Sequence, residues 1–341
     1  MMQRPAAEIV AIEYSLPEKV ETNEELRALY PHWDIDAVAQ KTGVFQRHVA
    51  RPEECASDLA YSACLRLFEA HKVLPAEIDG LIVCTQSADY VMPPTATLLQ
   101  HRLGLNKSVA AFDYTLACSG YVYGLAICKA FIESGLLRSI LLVTCDTYSK
   151  YIRPDDRATR TLFGDGAAVT LIRKGTPGIC EVGLATDGSG GEKFIVRGGG
   201  CRNGSRPGER NATGTDVKHI EMDGFGVLSF VKKEIPSFTE NLLRQANLCR
   251  EDIDLFIFHQ ASKISLDQVS QILGILPENT FFNFENIGNT VSSSIPIAIK
   301  DAWQAGKLKP GMVTMLVGFG VGFSWGGVLV RWTNNFTSGL G

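Results

Sequence analysis

Two segments about 175 residues apart repeat one pattern, and this repeat constrains the fold more than any other feature of the chain. The first is LPAEIDGLIVCTQSA (residues 74–88), and the second is LCREDIDLFIFHQAS (residues 248–262). Each reads as the end of a helix, an acidic turn and a continuous apolar strand. The repeat predicts that the chain consists of two related halves.

A second pair of segments extends the duplication. One runs from Cys118 through Gly135 into LLRSILLVTCD, and the other runs from Asn289 through Gly306 into KLKPGMVTMLVGF. In both, a helix of about four turns is predicted to end at a glycine suited to a left-handed C-cap, before an apolar strand. Apolar strands that alternate with helices indicate sheets covered on both faces, so the predicted fold class is α/β.

The duplication sets the expected domain organisation. We expect an N-terminal half over residues 1–175, which carries Cys118, and a C-terminal half over residues 176–341, which carries His259 and Asn289. A Gly/Arg-rich stretch at about residues 183–216 is predicted to be a long loop, because it is too polar to form core.

Composition and charge exclude several classes of protein. The chain has 341 residues and a formal net charge of −4, and it contains no basic blocks, which argues against a nucleic-acid surface. No apolar stretch reaches the ~18 residues of a membrane span, and Glu8 interrupts any signal-peptide core, so we expect a soluble, cytoplasmic protein without a membrane partner. The nine cysteines include no CxxC pair and no Cys/His spacing of a zinc site. Disulfides and a metal site are therefore not expected.

Three side chains stand out because the duplication relates their positions. Cys118 directly precedes an apolar helix, whose unpaired N–H groups and dipole are expected to stabilise a thiolate. Asn289 occupies the equivalent position in the second half. His259 follows the strand DLFIF, and residues at such strand ends commonly face a ligand crevice. Each has a structural alternative when taken alone, as a packed thiol, a helix N-cap or a hydrogen-bonded histidine, but together they indicate a site.

Five ordered motifs resemble the β-ketoacyl-acyl-carrier-protein synthase III branch of the thiolase superfamily. The motifs are ACSGYVYGLA, LFGDGAAV, FHQAS, NIGNTVSSSIPIAI and GFGVGFSWGGVLVRW, and the match begins near LPEKVETNEEL and covers essentially the whole chain. The resemblance implies a five-layered αβαβα thiolase fold with two pseudo-duplicated halves, and a homodimer. It also implies that Cys118, His259 and Asn289 form the catalytic triad.

The reaction implied by the resemblance has two steps. An acyl group passes from a coenzyme A or carrier-protein thioester to Cys118, and a decarboxylative Claisen condensation with malonyl-acyl carrier protein then gives a β-ketoacyl product. His259 and Asn289 would stabilise the enolate, while the backbone N–H groups of Cys118 and Val321 would form the oxyanion hole. No metal or other cofactor is implied beyond these substrates.

The resemblance also assigns residues to substrate binding. Arg157 matches the coenzyme-contacting arginine of the family, and Gly320 and Gly322 flank Val321 in its turn. Ser262 stands where the family usually has an asparagine, so contacts with the pantetheine arm are expected to differ. Met92 is expected to cross the dimer interface and close the acyl pocket of the partner subunit.

Two further positions depart from the family pattern or vary between its branches. Ala37 stands where a tryptophan commonly stacks on the coenzyme A adenine, and Trp33 lies four residues earlier. Ser87 and Ala88 precede Asp89 in a region where branches that deprotonate a second acyl chain have a glutamate, which favours decarboxylation here.

Docking of an acidic carrier protein requires a local concentration of positive charge on a chain of net charge −4. Candidates are Lys232 and Lys233 on one predicted helix, Lys263 beside HQAS, and four arginines of the central loop, namely Arg197, Arg202, Arg206 and Arg210.

Two other functions remain open at this level. One is a non-condensing acyltransferase that passes the acyl group from Cys118 to an alcohol, amine or thiol, and the other is a catalytically silent partner subunit of a synthase. The sequence does not determine the acyl chain, the extender, the choice between coenzyme A and carrier protein as donor, or the pathway, which could be fatty-acid, polyketide, surface-glycan or signalling.

Overall fold

The computed structural model describes residues 5–201 and 218–337. The elements up to Gly175 are β1 (Ala6–Ser15), β2 (Val20–Thr22), α1 (Asn23–Leu29), α2 (Ile35–Thr42), β3 (Gln46–His48), α3 (Ala56–His71), β4 (Gly80–Cys84), α4 (Thr95–Arg102), β5 (Ala110–Tyr114), α5 (Gly120–Glu133), β6 (Ser139–Asp146), α6 (Arg157–Arg160) and β7 (Gly166–Gly175). The later elements are β8 (Ile179–Thr186), β9 (Phe194–Val196), β10 (Ile220–Met222), α7 (Gly224–Gln245), β11 (Leu255–Phe258), α8 (Lys263–Leu273), α9 (Ser294–Gln304), β12 (Val313–Gly320) and β13 (Ser324–Arg331).

The two main sheets have the same strand arrangement. Sheet 1 has the order β1-β7-β6-β4-β5, and sheet 2 has the order β8-β13-β12-β11. In each, the first two pairings in this order are antiparallel and the third is parallel. The chain leaves sheet 1 at the end of β7 (Gly175) and enters sheet 2 at the start of β8 (Ile179).

The repeated sequence segments have repeated structures. A 3-10 turn over Pro75–Glu77 precedes β4, and a 3-10 turn over Arg250–Asp252 precedes β11. The predicted glycine C-caps are also present, because Gly135 has φ +78° after α5 and Gly306 has φ +68° after α9. The second helix differs from the prediction: a 3-10 turn over Val291–Ser293 takes the place of its first turn.

Five layers follow from how the apolar side chains pack. Helices α3 and α4 cover the outer face of sheet 1, α5 and α9 lie between the sheets, and α7 and α8 cover the outer face of sheet 2. In β4, Leu81 and Val83 face the outer helices while Ile82 faces the central pair. Both faces of each sheet are thus buried, which explains why these strands are continuous apolar runs. This is the five-layered αβαβα arrangement of the thiolase fold.

The prediction of a loop at residues 183–216 is wrong for the part that the structure describes. Residues through Thr186 belong to β8, and Phe194–Val196 pair with β10 in an antiparallel ladder. Phe194 is buried against Tyr148 and Phe163. The overall polarity of the segment concealed this short apolar run, FIV, which forms core. Residues 202–217, including Arg202, Arg206 and Arg210, lie outside the described residues.

Within residues 5–201 and 218–337, none of the helices combines the length and the apolar character that crossing a bilayer requires.

Candidate active site

Cys118, His259 and Asn289 line one cavity of about 340 Å³. The elements that carry them come from both halves of the chain. Cys118 precedes α5, His259 directly follows β11, and Asn289 precedes the 3-10 turn that leads into α9. The three residues that the sequence singled out, up to 171 positions apart, are therefore brought to one place.

Cys118 sits in a tight turn against the end of β12. Its side chain is buried, and helix α5 begins two residues later with Ser119 at the N-cap. A Cβ added to Gly320 would lie 2.8 Å from the Cβ of Cys118 and 3.0 Å from its Sγ. Glycine is required at position 320 because a larger residue would push the thiol out of place.

Two opposing influences act on the Cys118 thiol, for which the sequence predicts stabilisation of the thiolate by N–H groups of the helix N-terminus. Burial and the negative charge of Asp146 raise the pKa of the Cys118 thiol above its ordinary value, although the backbone N–H of Cys118 acts in the opposite direction. Removal from water is the largest of these influences, and it disfavours the charged form. The raised pKa favours the thiol of Cys118 over the thiolate in the free protein.

His259 is neutral and fixed by hydrogen bonds on one side of its ring. Its Nδ1 lies 2.7 Å from the Oγ of Ser294, the first residue of α9. Burial lowers the pKa of His259 to about 3, so the imidazole carries no charge near neutral pH. The ring edge also meets Phe319 of β12, with ring centroids 5.6 Å apart.

Ser294 can set the tautomer of His259. The backbone N–H of Gln260 donates to the same Ser294 oxygen at 3.3 Å. We interpret the hydroxyl of Ser294 as the donor to Nδ1 of His259, which places the ring proton of the neutral imidazole on Nε2. In this tautomer His259 presents an N–H donor to the cavity.

Asn289 places a second donor beside the first. Its Oδ1 accepts a hydrogen bond from the N–H of Val291 at 2.9 Å, which orients its amide. Its Nδ2 then lies 3.4 Å from Nε2 of His259 and 3.4 Å from the carbonyl oxygen of Ala261. Two N–H donors at this separation can both bind one oxygen atom of a ligand.

The turn Gly320–Gly322 is tied to the turn that carries Cys118. Ser119 and Ser324 share a hydroxyl–hydroxyl hydrogen bond of 2.7 Å, and the hydroxyl of Ser324 also donates to the carbonyl oxygen of Val321. Gly322 has φ +140°, a backbone conformation that favours glycine. Among the described residues, neither the N–H of Cys118 nor that of Val321 donates to a backbone carbonyl.

Residues expected to bind the substrate divide between two cavities. Arg157, Ser262 and Gly320 line the cavity of Cys118, whereas Val321 and Gly322 line a neighbouring cavity of about 470 Å³. Phe194 borders both cavities, so they adjoin.

The tryptophan near the expected adenine position does not replace the missing stacking residue. Trp33 is buried and stacks on Tyr30 with ring centroids 4.0 Å apart. Ala37 is only partly buried, and its neighbour Val38 reaches the cavity of Cys118. No aromatic face is therefore supplied from Trp33.

Met92 does not line either of these cavities in its own subunit. It is 79% exposed, in an apolar loop with Tyr90 (61%) and Val91 (91%). Asp89, in the same loop, is engaged elsewhere, because it accepts a hydrogen bond from the hydroxyl of Ser57.

The lysines considered for carrier docking are exposed. Lys232 and Lys233 lie on α7, and Lys263 begins α8, which packs beside α7. Lys263 pairs with Asp267 at 2.5 Å, and Lys233 pairs with Glu234 at 2.9 Å. Exposed pairs of this kind are weak, so these lysines can exchange partners at small cost.

Sequence reasoning missed three residues of the site. Ser294 fixes the histidine ring, Phe319 packs against it, and Lys41 of α2 adds a second cation to the cavity beside Arg157. The run of three serines that ends at Ser294 is the only signal in the sequence, and it does not say which hydroxyl faces His259. Within the described ranges no group of three or more His, Cys, Asp or Glu side chains is placed to hold a metal ion.

Comparisons with known proteins agree with this geometry. Residues 112–188 match the family model for 3-oxoacyl-[acyl-carrier-protein (ACP)] synthase III, and residues 243–332 match the model for the C-terminal part of the same enzyme. The first range contains Cys118, and the second contains His259 and Asn289.

Curated and solved relatives cover nearly the whole chain. A beta-ketoacyl-[acyl-carrier-protein] synthase III from Syntrophomonas wolfei is 35% identical over 95% of this chain and 97% of its own length. A crystal structure of a 3-oxoacyl-(acyl-carrier-protein) synthase III superposes with a TM-score of 0.92 at 41% identity, covering 96% of this chain and 100% of the other. The corresponding enzyme from Pseudomonas aeruginosa PAO1 gives a TM-score of 0.86 at 32% identity, covering 96% of this chain and 99% of its own. With this similarity along its full length, the chain belongs to the beta-ketoacyl-[acyl-carrier-protein] synthase III family.

Proposed function

We propose that this protein is a condensing enzyme that loads an acyl group onto Cys118 and joins it to a malonyl unit carried as a thioester. The observation that carries the proposal is the meeting of Cys118 with two neutral N–H donors, from His259 and Asn289, in one cavity. A nucleophile alone would serve acyl transfer. A pair of donors beside it supplies what decarboxylation needs as well.

In the first step, the sulfur of Cys118 attacks the carbonyl carbon of an acyl thioester. The new S–C bond replaces the bond to the carrier, which leaves as a thiol with the proton that Cys118 gives up. The raised pKa of Cys118 keeps the free enzyme unreactive toward other electrophiles. We assign the oxyanion hole to the N–H groups of Cys118 and Val321, which lack backbone acceptors among the described residues.

In the second step, the malonyl thioester loses CO₂ and becomes an enolate, whose carbon attacks the acyl group on Cys118. The enolate oxygen accepts hydrogen bonds from Nε2–H of His259 and Nδ2–H of Asn289. A neutral imidazole suits this role, because it donates a hydrogen bond without giving up its proton. The product is a β-ketoacyl thioester, and the C–S bond to Cys118 breaks to leave a thiolate, which takes up a proton from water and returns to the thiol.

Cations around the cavity suit a phosphate-bearing substrate arm. Lys41 and Arg157 line the cavity of Cys118, and Lys263 lies next to Ser262 at the start of α8. Both coenzyme A and acyl carrier protein present a pantetheine arm with phosphate. We propose that this side of the cavity is the entrance, with Lys232, Lys233 and Lys263 as the docking surface for an acidic carrier protein.

We also propose that the enzyme works as a homodimer in the cytoplasm. Strand β5 is an edge strand of sheet 1 that pairs only with β4, and the nearby loop exposes Tyr90, Val91 and Met92. An edge strand with an apolar loop is a surface that a second copy can cover. Nine free thiols suit a reducing compartment.

Intact-mass spectrometry of the protein incubated with acyl thioesters tests the loading step. The wild type should gain one acyl mass, and Cys118→Ala should gain none. Cys64→Ala is a matched control, because Cys64 is also a fully buried thiol but lies on α3, in the outer layer that covers sheet 1. Acyl mass on the Cys118→Ala protein would contradict the proposal.

Release of CO₂ from malonyl thioesters separates condensation from simple transfer. Alanine at His259 or Asn289 should leave self-acylation measurable while it slows decarboxylation by about 10² or more, the usual effect of losing one oxyanion donor. A wild-type enzyme that is acylated but never decarboxylates malonyl-coenzyme A or malonyl-carrier protein would point to a non-condensing acyltransferase instead.

A further inference from the structure

A second cavity, of about 470 Å³, adjoins the cavity of Cys118. Phe194 borders both cavities, and Val321 and Gly322 line the second one immediately after Gly320, which touches Cys118. Tyr148, Phe194 and Ile220 line this second cavity, and these three residues belong to one apolar cluster with Cys118. An acyl group on Cys118 therefore has the second cavity beside it.

Most of this cavity is apolar, but one wall carries a fixed polar group. The hydroxyl of Tyr148 donates a hydrogen bond to Oε1 of Gln86, and both residues line the cavity. The ring of Tyr148 packs against Phe163 and Phe194, with centroids 5.5 and 6.5 Å away, and these two rings also contact each other. The backbone N–H of Gln86 is fixed as well, by a 2.8 Å hydrogen bond to Asp146.

This arrangement determines which part of the Gln86 amide is available. Because Oε1 is occupied by the hydroxyl of Tyr148, the remaining group is Nε2, which can only donate. No hydrogen bond joins Nε2 to an acceptor among the described residues. Nε2 is not one of the fully buried polar atoms that lack a partner, so it meets solvent in the open cavity. An acyl group that displaces this solvent leaves the donor unsatisfied unless the acyl group itself supplies an oxygen acceptor.

The charge of the occupant follows from the remaining lining residues. The described residues that line the cavity include no Asp, Glu, Lys, Arg or His. A carboxyl lies behind this wall, because Asp146 accepts a hydrogen bond from the backbone N–H of Gln86. With no cation among the described lining residues, a carboxylate at the end of the acyl chain would be unpaired there.

From this, we propose that the enzyme selects acyl groups that carry a neutral oxygen acceptor, a ketone or a hydroxyl, which binds Nε2 of Gln86. The inference rests on the proposed function, since it requires that Cys118 is acylated. Gln86 then acts as a specificity-determining residue, and Tyr148 positions it.

The test compares rates of Cys118 acylation by coenzyme A thioesters of five- and six-carbon acyl groups, measured by intact mass. The donors are hexanoyl, its 3-oxo, 4-oxo and 5-oxo derivatives, 5-hydroxyhexanoyl, and glutaryl, which places a carboxylate where 5-oxohexanoyl has its methyl ketone. At least one ketone donor should exceed hexanoyl by about tenfold in kcat/KM, the scale of one buried neutral hydrogen bond. Glutaryl should be poorer than its ketone counterpart.

Variants locate the source of the preference. Gln86→Met keeps the length of the side chain without the donor, and the ketone-to-hexanoyl ratio should fall to near one. Tyr148→Phe should lower the same ratio, because the amide loses the hydroxyl that orients it. Gln245→Met, on the exposed end of α7, should leave the ratio unchanged, and melting temperatures identify any variant that fails to fold.

The remaining outcomes would contradict different parts of the proposal. Equal rates for hexanoyl and all ketones in the wild type would overturn the inference while leaving the proposed function intact. A preference for glutaryl would overturn the exclusion of charge. A preference for 5-hydroxyhexanoyl with none for any ketone would overturn the assignment of Nε2 as the donor, because a hydroxyl can also donate and a ketone can only accept. Failure of every donor to acylate Cys118 would overturn the proposed function, and this inference with it.

Discussion

His259 Nδ1 lies 2.7 Å from the hydroxyl oxygen of Ser294, and both side chains are almost completely buried. The two residues are 35 positions apart and come from different elements, the end of β11 and the start of α9. The oxygen of Ser294 accepts from the N–H of Gln260 and can still donate its own proton to the imidazole. In that arrangement Ser294 determines which ring nitrogen of His259 carries the proton.

Ser294→Ala should impair decarboxylation more than acylation. Without the hydroxyl, Nδ1 of His259 loses its donor, and the tautomer with the proton on Nε2 loses its advantage. We expect CO₂ release from malonyl thioester to fall about tenfold, with a smaller change in the rate at which Cys118 is acylated. Long-range ¹⁵N NMR on histidine-labelled protein should show a shift of His259 toward the Nδ1–H form.

Ser293→Ala is the matched control for this variant. Ser293 is equally buried, but its hydroxyl bonds to the carbonyl oxygens of Thr144 and Gly166 and does not contact His259. Its loss should lower thermal stability without changing the tautomer. If both serine variants lost decarboxylation equally and the NMR spectrum of His259 stayed the same, Ser294 would be only a packing residue.

Gly320→Ala should displace the thiol of Cys118. The added methyl group would lie 3.0 Å from Sγ, closer than ordinary van der Waals contact, so the sulfur or β12 must move. A displacement of about 1 Å in a reacting group can cost 10²-fold in rate, and we expect a loss of 10- to 100-fold in acylation. Gly188→Ala is the control, because its added Cβ meets no atom within 4 Å. An unchanged acylation rate of Gly320→Ala would mean that the turn accommodates the methyl group without displacing the thiol of Cys118.

Acid should reduce the contribution of His259 to folding stability. Burial lowers the pKa of His259 to about 3, while in the unfolded chain it is about 6.5, so the unfolded state binds more protons at this residue between these values. The contribution of His259 to the free energy of unfolding therefore falls as the pH falls below 6.5. Between pH 6.5 and 5 the contribution of His259 is on the order of 2 kcal/mol.

The comparison that isolates this effect is urea unfolding of the wild type and His259→Asn at pH 7 and pH 5. Asp146 and Asp165 act in the opposite direction, because burial raises their pKa values to about 7 and about 6, and protonation then stabilises the folded state as the pH falls. Their contribution is common to both proteins and cancels in the difference. A difference between the two proteins that does not change with pH would mean that His259 is charged or exposed in solution.

Met92→Trp should shift the acyl preference toward shorter chains. If the exposed Met92 of one subunit closes the acyl cavity of the other, a larger and stiffer side chain leaves less room. Lost fit for one or two methylenes corresponds to about 10- to 200-fold in kcat/KM. Acylation by an acetyl thioester should change little. If the protein remained dimeric by light scattering and its chain-length profile did not change, Met92 would not line the acyl cavity of the other subunit.

The duplicated α/β architecture could be predicted because its determinants are local. The segments 74–88 and 248–262 share one order of turn and apolar strand, and each run of apolar residues has both faces buried in the fold. The left-handed conformation of Gly135 and Gly306 follows in the same way, since a helix C-cap is set by adjacent residues. The prediction of a loop at residues 183–216 was wrong because the polar composition of the whole segment obscured the three apolar residues of β9.

Cys118, His259 and Asn289 were identified from their motifs and positions in the repeat, but their chemical states depend on tertiary packing. Whether Cys118 is a thiol depends on burial and on Asp146 of β6, and neither can be read from the residues around the cysteine. In the same way, the orientation of Gln86 depends on Tyr148, 62 positions away. The sequence thus determined which residues meet, because the patterns that form strands and helices depend on neighbouring residues. Only the tertiary structure decided their protonation and hydrogen-bond direction, because removal from water and contact at about 3 Å arise between distant segments.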